Sequence, residues 1–371
     1  IAETTGASGV TIDGLLIKDG AIPSISVIGK NLIQNGEVAV SQRGTVTGFG
    51  ANNAYGPDRW KYESNGAPSS GRLSLSQGTG ILGAASSLRV DVTTADSSLA
   101  SNALYQITQK IEAQDLHFLE YGAATAKTMT YSFTAKTNFT GSMTLYLIAA
   151  DGSRSYATEI DFTGDSSQET FAFVIPGDAS GAFNFDTGTG LDVMFTLAAG
   201  SVFAGGTEDA WAASNNNMYG ASNSGNFFAS TSNFIEFSLM QLEVGSVATS
   251  YAHESYGTTL AKCQRYFWQQ AFANDKYIAT AYIASTTVAT GPYAFPVTMR
   301  AVPTGGVFGT TLFELDHAGT ETQSSNMTFA GNTESTGALV MTVSSGLTAG
   351  QAGVIQGGTA GNAGLTASAE L

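Results

Sequence analysis

The sequence predicts an all-β protein: an antiparallel jelly-roll sandwich, a short connector helix and a smaller C-terminal β-sandwich domain. Three observations lead to this fold class. Apolar and polar residues alternate with a period of two in many segments. Gly, present 44 times, separates those segments together with Asn and Asp. One segment after the middle of the chain has helical spacing instead. The 371 residues are enough for two or three domains with cores of their own.

Residues 1–30 are predicted to be a stem or linker segment. The stretch "TIDGLLIKDG" indicates one short strand between Gly turns, which is too small to fold alone. The chain opens at Ile1 rather than Met, which favours a fragment or a processed chain. We therefore expect this segment to continue a longer chain, whose other part attaches the protein to something larger.

Residues 31–255 are predicted to form one jelly roll. Nine segments alternate, and this number of strands over about 220 residues is typical of a single antiparallel sandwich. The segments are residues 72–76, 88–92, 104–112, 128–136, 143–149, 157–162, 170–175, 191–197 and 234–244.

Residues 256–371 are predicted to hold the connector helix and the C-terminal β domain. Leu260, Cys263, Tyr266 and Phe267 follow the spacing i, i+3, i+6 and i+7, which indicates one helix face over residues 258–270, capped by Thr258 or Thr259. We expect Cys263, Tyr266 and Phe267 to be structural, as a buried stripe that seats the next domain. The chain has a single Cys, so no internal disulfide forms. Five alternating segments follow, at residues 277–285, 293–299, 306–315, 326–331 and 338–345.

Charge and motifs exclude several classes of function. A net charge of −15 repels nucleic-acid phosphates and anionic membrane surfaces, whereas a neutral glycan is compatible with it. No apolar run is long enough to span a bilayer. His117, His253 and His317 lack the spacing of zinc ligands. Neither a P-loop nor a serine-nucleophile elbow is present.

A family resemblance covers almost the whole chain. The segment "SLMQLEVGSVATSYAHESYGTTLAKCQRYFW" (238–268) resembles the join in bacteriophage tail-fibre and receptor-binding proteins, where a jelly roll ends in a "QLEVG…AT" strand and a "CQRYF" helix leads to a terminal β domain. The stretches 4–20, 31–62, 295–304 and 368–371 resemble the linker, opening, later and final segments of such proteins. The stretch "SYAH" (250–253) departs from the family pattern, which leaves the conformation of that corner open.

The resemblance implies a bacteriophage virion fibre protein that binds a host receptor, a cell-surface glycan, during adsorption. It implies a homotrimer, joined to other virion tail proteins through upstream sequence, made in the host cytoplasm and located in the virion. It implies that the jelly roll of residues 31–255 is carbohydrate-binding-like. From the charge and the missing motifs we expect no enzyme activity, no cofactor other than a candidate structural Ca²⁺, no nucleic-acid partner and no membrane insertion. Two alternatives stay open: a structural head-fibre or decoration protein, and a glycan-degrading tailspike.

The candidate receptor site is the long irregular stretch 203–233. Its aromatic and amide side chains suit sugar rings, which offer both CH faces and hydroxyls. The candidate residues are Trp211, Asn215, Asn217, Tyr219, Asn223 and Asn226. We expect Trp211→Ala to leave folding nearly intact and to reduce adsorption. The alternative is that Trp211 is tucked under the loop.

Other conspicuous residues have structural or weakly specified roles. Trp60 is predicted to be a core aromatic rather than a sugar platform, and the adjacent Asp58 and Arg59 a local ion pair of small value. Glu37 and Glu243 are candidate ligands of a structural Ca²⁺, although no spacing defines a site. The carboxylates that a tailspike would need are Asp192, Glu208 and Asp209, or Glu112 with Asp115. No β-helix repeat accompanies them, which favours a protein that is not an enzyme.

Overall fold

The computed structural model describes residues 10–12, 15–17, 30–49, 54–65, 70–214, 225–309, 313–358 and 363–371. The predicted fold class is confirmed: the described residues form antiparallel sheets with a single α-helix. None of the helices in these ranges combines the length and the apolar character that crossing a membrane requires.

The N-terminal segment contains a short hairpin rather than one strand. Its strands are β1 (Val10–Ile12) and β2 (Leu15–Ile17), which pair antiparallel.

The large unit is a two-sheet antiparallel sandwich of jelly-roll type. Its strands are β3 (Val46–Phe49), β4 (Ala54–Tyr55), β5 (Lys61–Ser64), β6 (Arg72–Thr79), β7 (Ser86–Thr94), β8 (Leu104–Glu112), β9 (Met129–Thr137), β10 (Gly141–Ala149), β11 (Arg154–Phe162), β12 (Gln168–Ile175), β13 (Thr189–Ala199), β14 (Ala212–Ala213) and β15 (Phe234–Val244). One sheet has the order β14-β11-β10-β13-β8-β5-β4, and the other β12-β9-β15-β7-β6-β3. Short 3₁₀ turns are Ala113–Asp115, His117–Leu119, Ser201–Phe203 and Phe227–Ala229.

The sandwich core is rich in aromatic residues from both sheets. Phe133 of β9 lies with ring centroids 5.1 Å from Phe195 of β13 and 5.8 Å from Phe237 of β15. Phe195 in turn stacks on Phe237 at 4.2 Å. Trp60 is fully buried in the same cluster, and its indole Nε1 donates to the Asn35 carbonyl at 3.3 Å. Strand alternation therefore places the large apolar side chains between the sheets.

The connector helix α1 (Tyr256–Gln264) is shorter than predicted and starts earlier. Ser255 is the N-cap, since its hydroxyl accepts from the Thr258 amide at 3.3 Å, so the predicted cap at Thr258 or Thr259 is wrong. Tyr266 and Phe267 are buried, but both lie beyond the helix. Phe267 begins the first strand of the C-terminal unit.

We expect the Cys263 thiol to react slowly in the native protein. The side chain is 1% exposed, and burial raises its pKa well above the usual value, so little reactive thiolate forms. Cys263→Ala should lower the free energy of unfolding by about 1–2 kcal/mol through lost packing. Labelling with a thiol reagent, with and without denaturant, measures the difference in rate. Rapid stoichiometric labelling without denaturant would contradict this placement.

The C-terminal unit combines a three-stranded sheet with a closed barrel. Its strands are β16 (Phe267–Phe272), β17 (Tyr277–Ile283), β18 (Val288–Ala294), β19 (Thr304–Phe308), β20 (Phe313–His317), β21 (Thr320–Ala330), β22 (Thr336–Val343), β23 (Ala352–Gly357) and β24 (Ala363–Ser368). The open sheet has the order β16-β24-β19, and the barrel β17-β18-β22-β21-β20-β23. The sequence predicted a small all-β unit here, which is confirmed, but the predicted sandwich is instead a closed barrel with an open three-stranded sheet.

The final residues hold the two units together. The Glu370 carboxylate accepts from Arg43 at 3.0 Å and from Arg59 at 3.1 Å, both of which belong to the large sandwich. Tyr55 donates its hydroxyl to the Leu371 carbonyl at 2.6 Å. These contacts anchor the last residues of the C-terminal unit against the sandwich.

Asp58 and Arg59 both serve this interface, so the predicted local ion pair between them is wrong. Asp58 accepts from the Gln42 amide nitrogens of backbone and side chain, each at 2.6 Å. Gln42 also donates to the Phe267 carbonyl at 2.7 Å. The Arg59 guanidinium lies 3.4 Å from the Tyr266 ring centroid, a cation–π contact. Neighbouring residues thus bind different partners because their side chains leave the backbone in different directions.

Candidate functional site

The outer surface of the seven-stranded sheet is the candidate functional site, and we call it the polar face. Alternation along β13 sends Leu191, Val193 and Phe195 into the core, so Asp192 and Met194 lie on the opposite surface. The strand register aligns further residues with them in rows across the sheet. The polar face comprises Lys61, Glu63, Gln106, Thr108, Lys110, Thr144, Tyr146, Ile148, Ala157, Asp192, Met194 and Thr196.

One end of the polar face carries a cluster of alternating charges. Lys61 Nζ lies 2.6 Å from Glu63 Oε1, and Lys110 Nζ lies 3.5 Å from the same oxygen. Lys110 Nζ is also 3.9 Å from Asp192 Oδ2, while Thr108 donates its hydroxyl to Asp192 Oδ1. Lys61, Glu63 and Lys110 keep 16%, 20% and 22% of their side-chain surface exposed. Lys61, Glu63 and Lys110 therefore present fixed donors and acceptors to solvent, whereas Asp192 and Thr108 are buried beneath them. The two lysines and the two carboxylates together carry no net charge.

Asp192 is the most perturbed member of this cluster. Burial raises the pKa of its carboxyl to about 6, although the Thr108 hydrogen bond and the Lys110 charge oppose the rise. A folded-state pKa above the ordinary 3.8 means that ionised Asp192 costs stability at neutral pH. A carboxylate kept in an unfavourable environment inside a cluster of polar groups is typical of functional sites.

The other end of the polar face is apolar. Tyr146, Met194 and Ala157 form a small buried cluster, separate from the main core, with Ile148 packed against it. The Tyr146 hydroxyl is buried and has no hydrogen-bond partner among the residues that the structure describes. A buried hydroxyl without a partner is uncommon in folded proteins, and the core residues Tyr121 and Tyr131 share this feature.

Two residues of the predicted receptor stretch 203–233, Ser214 and Gly225, lie close to opposite ends of β10. The Ser214 amide donates to the Ser153 carbonyl at 2.8 Å, at the turn between β10 and β11. At the other end of β10, Gly225 lies so close to Ser142 that a Cβ atom on Gly225 would be 1.9 Å from the Ser142 carbonyl oxygen. Four of the candidate residues lie outside the described residues: Asn215, Asn217, Tyr219 and Asn223.

Trp211 is half-buried and held by the sandwich. Its indole Nε1 donates to the Pro176 carbonyl at 2.7 Å. Its ring makes an edge contact with Tyr121 at 5.5 Å and a tilted contact with Tyr156 at 5.7 Å. The Trp211 carbonyl accepts from Arg154 at 3.1 Å. These contacts are those of a residue that closes one end of the core.

We now expect Trp211→Ala to lower the free energy of unfolding by about 2 kcal/mol, less than for a fully buried tryptophan because the ring is only half-buried. The lost contacts with Tyr121 and Tyr156 and the unpaired Pro176 carbonyl account for the cost. Trp211→Phe keeps most of the ring packing and should cost less. Denaturant titration of both variants measures this difference. An unchanged unfolding midpoint for Trp211→Ala would instead support the prediction that Trp211 contacts a sugar and does not stabilise the fold.

Asn226 uses both ends of its amide within the chain. Its Oδ1 accepts from the Phe228 amide at 3.0 Å, which caps the short turn Phe227–Ala229, and its Nδ2 donates to the Asp96 carbonyl at 2.9 Å. Phe227 and Phe228 are fully buried behind it. Asn226 therefore fixes the position of the turn Phe227–Ala229, at the end of the stretch 203–233 that leads into β15.

The two candidate Ca²⁺ ligands lie in separate networks. Glu243 accepts from the Thr249 amide at 2.8 Å, from the Thr249 hydroxyl at 2.6 Å and from Gln241 at 2.8 Å, so donors surround it where a cation would need free oxygens. Glu37 accepts from His253 Nδ1 at 2.8 Å. Among the described residues, the acidic groups close enough to share an ion are Asp275, Glu314 and Glu321, and they include neither candidate.

Of the carboxylates considered for a tailspike, Asp192 belongs to the polar face and Glu112 to the domain interface. Glu112 accepts from Arg265 Nε and Nη2, both at 2.8 Å, and from the Tyr266 hydroxyl at 2.5 Å. Asp209 lies 3.4 Å from the Tyr156 hydroxyl. The sequence interpretation missed Lys61, Glu63, Lys110 and Tyr146, although a charged residue inside the apolar strand "LDVMFTL" was a signal that could have pointed to the outer surface.

Comparisons with known proteins give only distant similarities. No protein-family model matches, and no curated protein matches. The enzymatically active domain of bacteriophage CBA120 tailspike protein 4 is similar with a TM-score of 0.31 and 11% identity, over 58% of this chain and 21% of that domain. TmCBM61 in complex with β-1,4-galactotriose is similar with a TM-score of 0.28 and 9% identity, over 58% of this chain and all of that one.

A family 11 carbohydrate-binding module from Clostridium thermocellum, in complex with a β-1,3-1,4-mixed-linked tetrasaccharide, is similar with a TM-score of 0.25 and 12% identity, over 56% of this chain and 98% of that module. The chain thus spans about a fifth of the tailspike domain and nearly the full length of the two smaller structures. Scores of this size are too low to carry an argument about relationship or function.

Proposed function

We propose that this protein is a bacteriophage virion fibre protein that binds a host cell-surface glycan through the polar face of its sandwich. The observation that carries the proposal is the cluster of Lys61, Glu63, Lys110 and Asp192, in which ammonium and carboxylate groups are fixed side by side. Sugar hydroxyls both donate and accept hydrogen bonds, so an array of alternating donors and acceptors suits them. The sequence resemblance at residues 238–268 supports the virion assignment.

The cost of keeping Asp192 ionised supports a binding role. A residue selected for stability alone would lower the free energy of the fold, whereas a buried carboxylate with a raised pKa does the reverse at neutral pH. An Asp192 oxygen directed at a ligand hydroxyl would recover part of this cost on binding. The ligand class that fits is a neutral polysaccharide, because the cluster is balanced in charge and the chain carries −15 overall.

Asp192→Asn should weaken glycan binding by about tenfold, the loss of one charge-assisted hydrogen bond. The folded-state pKa is raised, so ionisation costs stability as the pH rises from about 4 through 6, and removing the charge should leave the melting temperature at pH 7 unchanged or higher. Adsorption of the protein to host cells and calorimetric melting measure the two effects. Asp91→Asn, on the outer face of the other sheet and 38% exposed, is the matched control and should change neither.

Three results would each contradict one part of the proposed function. Equal adsorption by the wild type and Asp192→Asn would remove the polar face as the glycan site. New reducing ends after incubation with host polysaccharide would favour the tailspike alternative. Labelled antibody that marks the capsid rather than the tail would favour a head-fibre or decoration protein.

The assembly proposal is a homotrimer that joins other virion tail proteins. Three copies of a weak site on one fibre bind a multivalent cell surface with much higher avidity than one copy. Sedimentation at micromolar concentration tests this arrangement, and a stable monomer of the present chain would contradict self-association through these residues.

A further inference from the structure

A cavity lies where the start of the sandwich meets the connector helix. Its volume is about 300 Å³, at the lower end for small-molecule sites. Its walls come from residues 31–39, the turn at residues 85–86 and residues 251–259. Gly36 forms part of the wall, where a Cβ atom would approach the Tyr251 hydroxyl to 2.9 Å and the Met240 carbonyl to 2.2 Å.

The cavity wall is acidic. Glu37 and Glu254 both line it, and none of its described lining residues is a Lys or an Arg. Glu37 is held by His253 Nδ1 at 2.8 Å and is 18% exposed, and Glu254 is held by Lys262 from the last turn of α1. Both carboxylates act on Tyr251: burial raises the pKa of its hydroxyl, and the charges of Glu37 and Glu254 raise it further. Both carboxylates line the same cavity.

Aromatic rings complete the wall. Tyr251 and Tyr256 line the cavity, and Tyr256 is 60% exposed at the start of the helix. His253 packs edge-on against Tyr251 with ring centroids 5.0 Å apart, which fixes the Tyr251 ring. Carboxylates beside aromatic faces are the groups that bind an ammonium ion, through charge-assisted hydrogen bonds and cation–π contacts.

We propose that this cavity binds a small organic cation that carries a primary ammonium group and hydroxyls, as an amino sugar does. Glu37 and Glu254 would accept hydrogen bonds from the ammonium group, and the Tyr251 and Tyr256 rings would lie against the carbon skeleton. The volume of the cavity exceeds what a bare metal ion needs. His253 already binds Glu37 and Lys262 already binds Glu254, so each carboxylate has only some of its lone pairs left for a ligand. The same charges repel anionic ligands.

Calorimetric titration of the full chain at low ionic strength tests this site, with glucosamine, glucose and N-acetylglucosamine as probes. Glucosamine should bind in the millimolar range, and glucose and N-acetylglucosamine at least tenfold more weakly, because each lacks the ammonium group. Glu37→Gln and Glu254→Gln should each weaken glucosamine binding by about tenfold. Glu334→Gln, an exposed residue of the C-terminal unit, is the matched control and should bind as the wild type does.

Circular dichroism of each variant verifies folding. Glucosamine and glucose binding equally well, wild-type affinity in both glutamine variants, or no glucosamine binding at millimolar concentration would each overturn the proposal. Binding of Ca²⁺ that is lost in both glutamine variants, without glucosamine binding, would assign the cavity to a metal and overturn it as well. Asp192→Asn should leave glucosamine binding unchanged, so failure of this site and failure of the proposed polar-face function are distinguishable.

Discussion

Trp60→Ala should lower the free energy of unfolding by about 3–5 kcal/mol, the largest effect expected for a single substitution in the sandwich. The side chain is 0% exposed, so truncation leaves a cavity that the two sheets cannot close fully. The Asn35 carbonyl also loses the indole donor at 3.3 Å. Denaturant titration followed by circular dichroism measures the shift in midpoint.

Two variants separate a packing role from a sugar-stacking role for Trp60. Trp60→Phe keeps much of the ring volume and should cost markedly less than Trp60→Ala. Phe185→Ala removes an aromatic ring that is 78% exposed and should change the free energy of unfolding by less than about 0.5 kcal/mol. Loss of glycan adsorption in Trp60→Phe without any loss of stability would contradict the core interpretation.

Glu112→Gln should lower the free energy of unfolding by about 2–3 kcal/mol, because it removes the negative charge from a buried network between the two units. The carboxylate is 0% exposed and accepts from Arg265 and Tyr266, whereas Arg265 is 30% exposed, so the expected loss falls below that of a fully buried pair. Glu120→Gln removes an exposed partner of Lys127 and should leave the unfolding midpoint nearly unchanged.

The pH dependence of the same network has a definite sign. Burial alone would raise the pKa of Glu112, but hydrogen bonds from Arg265 and Tyr266 outweigh it and hold the pKa below the ordinary 4.5. A lowered folded-state pKa contributes stability above pH 4.5, and this contribution is lost as the pH falls through the folded-state pKa. Melting curves from neutral to acid pH should therefore converge for wild type and Glu112→Gln. Equal separation of the curves at every pH would show that the charge of Glu112 is not the cause.

The sequence was a good guide to local structure and a partial guide to the site. The alternation in "LDVMFTL" determines which residues of β13 face the core, because successive side chains in a strand point to opposite faces. The same pattern does not show which residues of neighbouring strands lie beside Asp192 and Met194 on the outer surface of the sheet. The predicted receptor residues lie in the irregular stretch 203–233, since loops often carry function. The charged cluster lies on regular strands instead. Trp211 and Asn226 turned out to make specific contacts within the sandwich.

By itself, the sequence determined the nine longest strands of the sandwich, the presence of a connector helix and the two faces of each of those strands, since these depend on residues only a few positions apart. The tertiary structure decided which strands are neighbours. Lys61, Lys110 and Asp192 come from three strands, and they meet because β8 pairs with β5 on one side and with β13 on the other. Strand pairing uses backbone hydrogen bonds that every residue type except Pro can form, so the choice of partner is set by packing of the whole core. Closure of the C-terminal barrel and the place of Glu370 between Arg43 and Arg59 depend on contacts between distant residues in the same way.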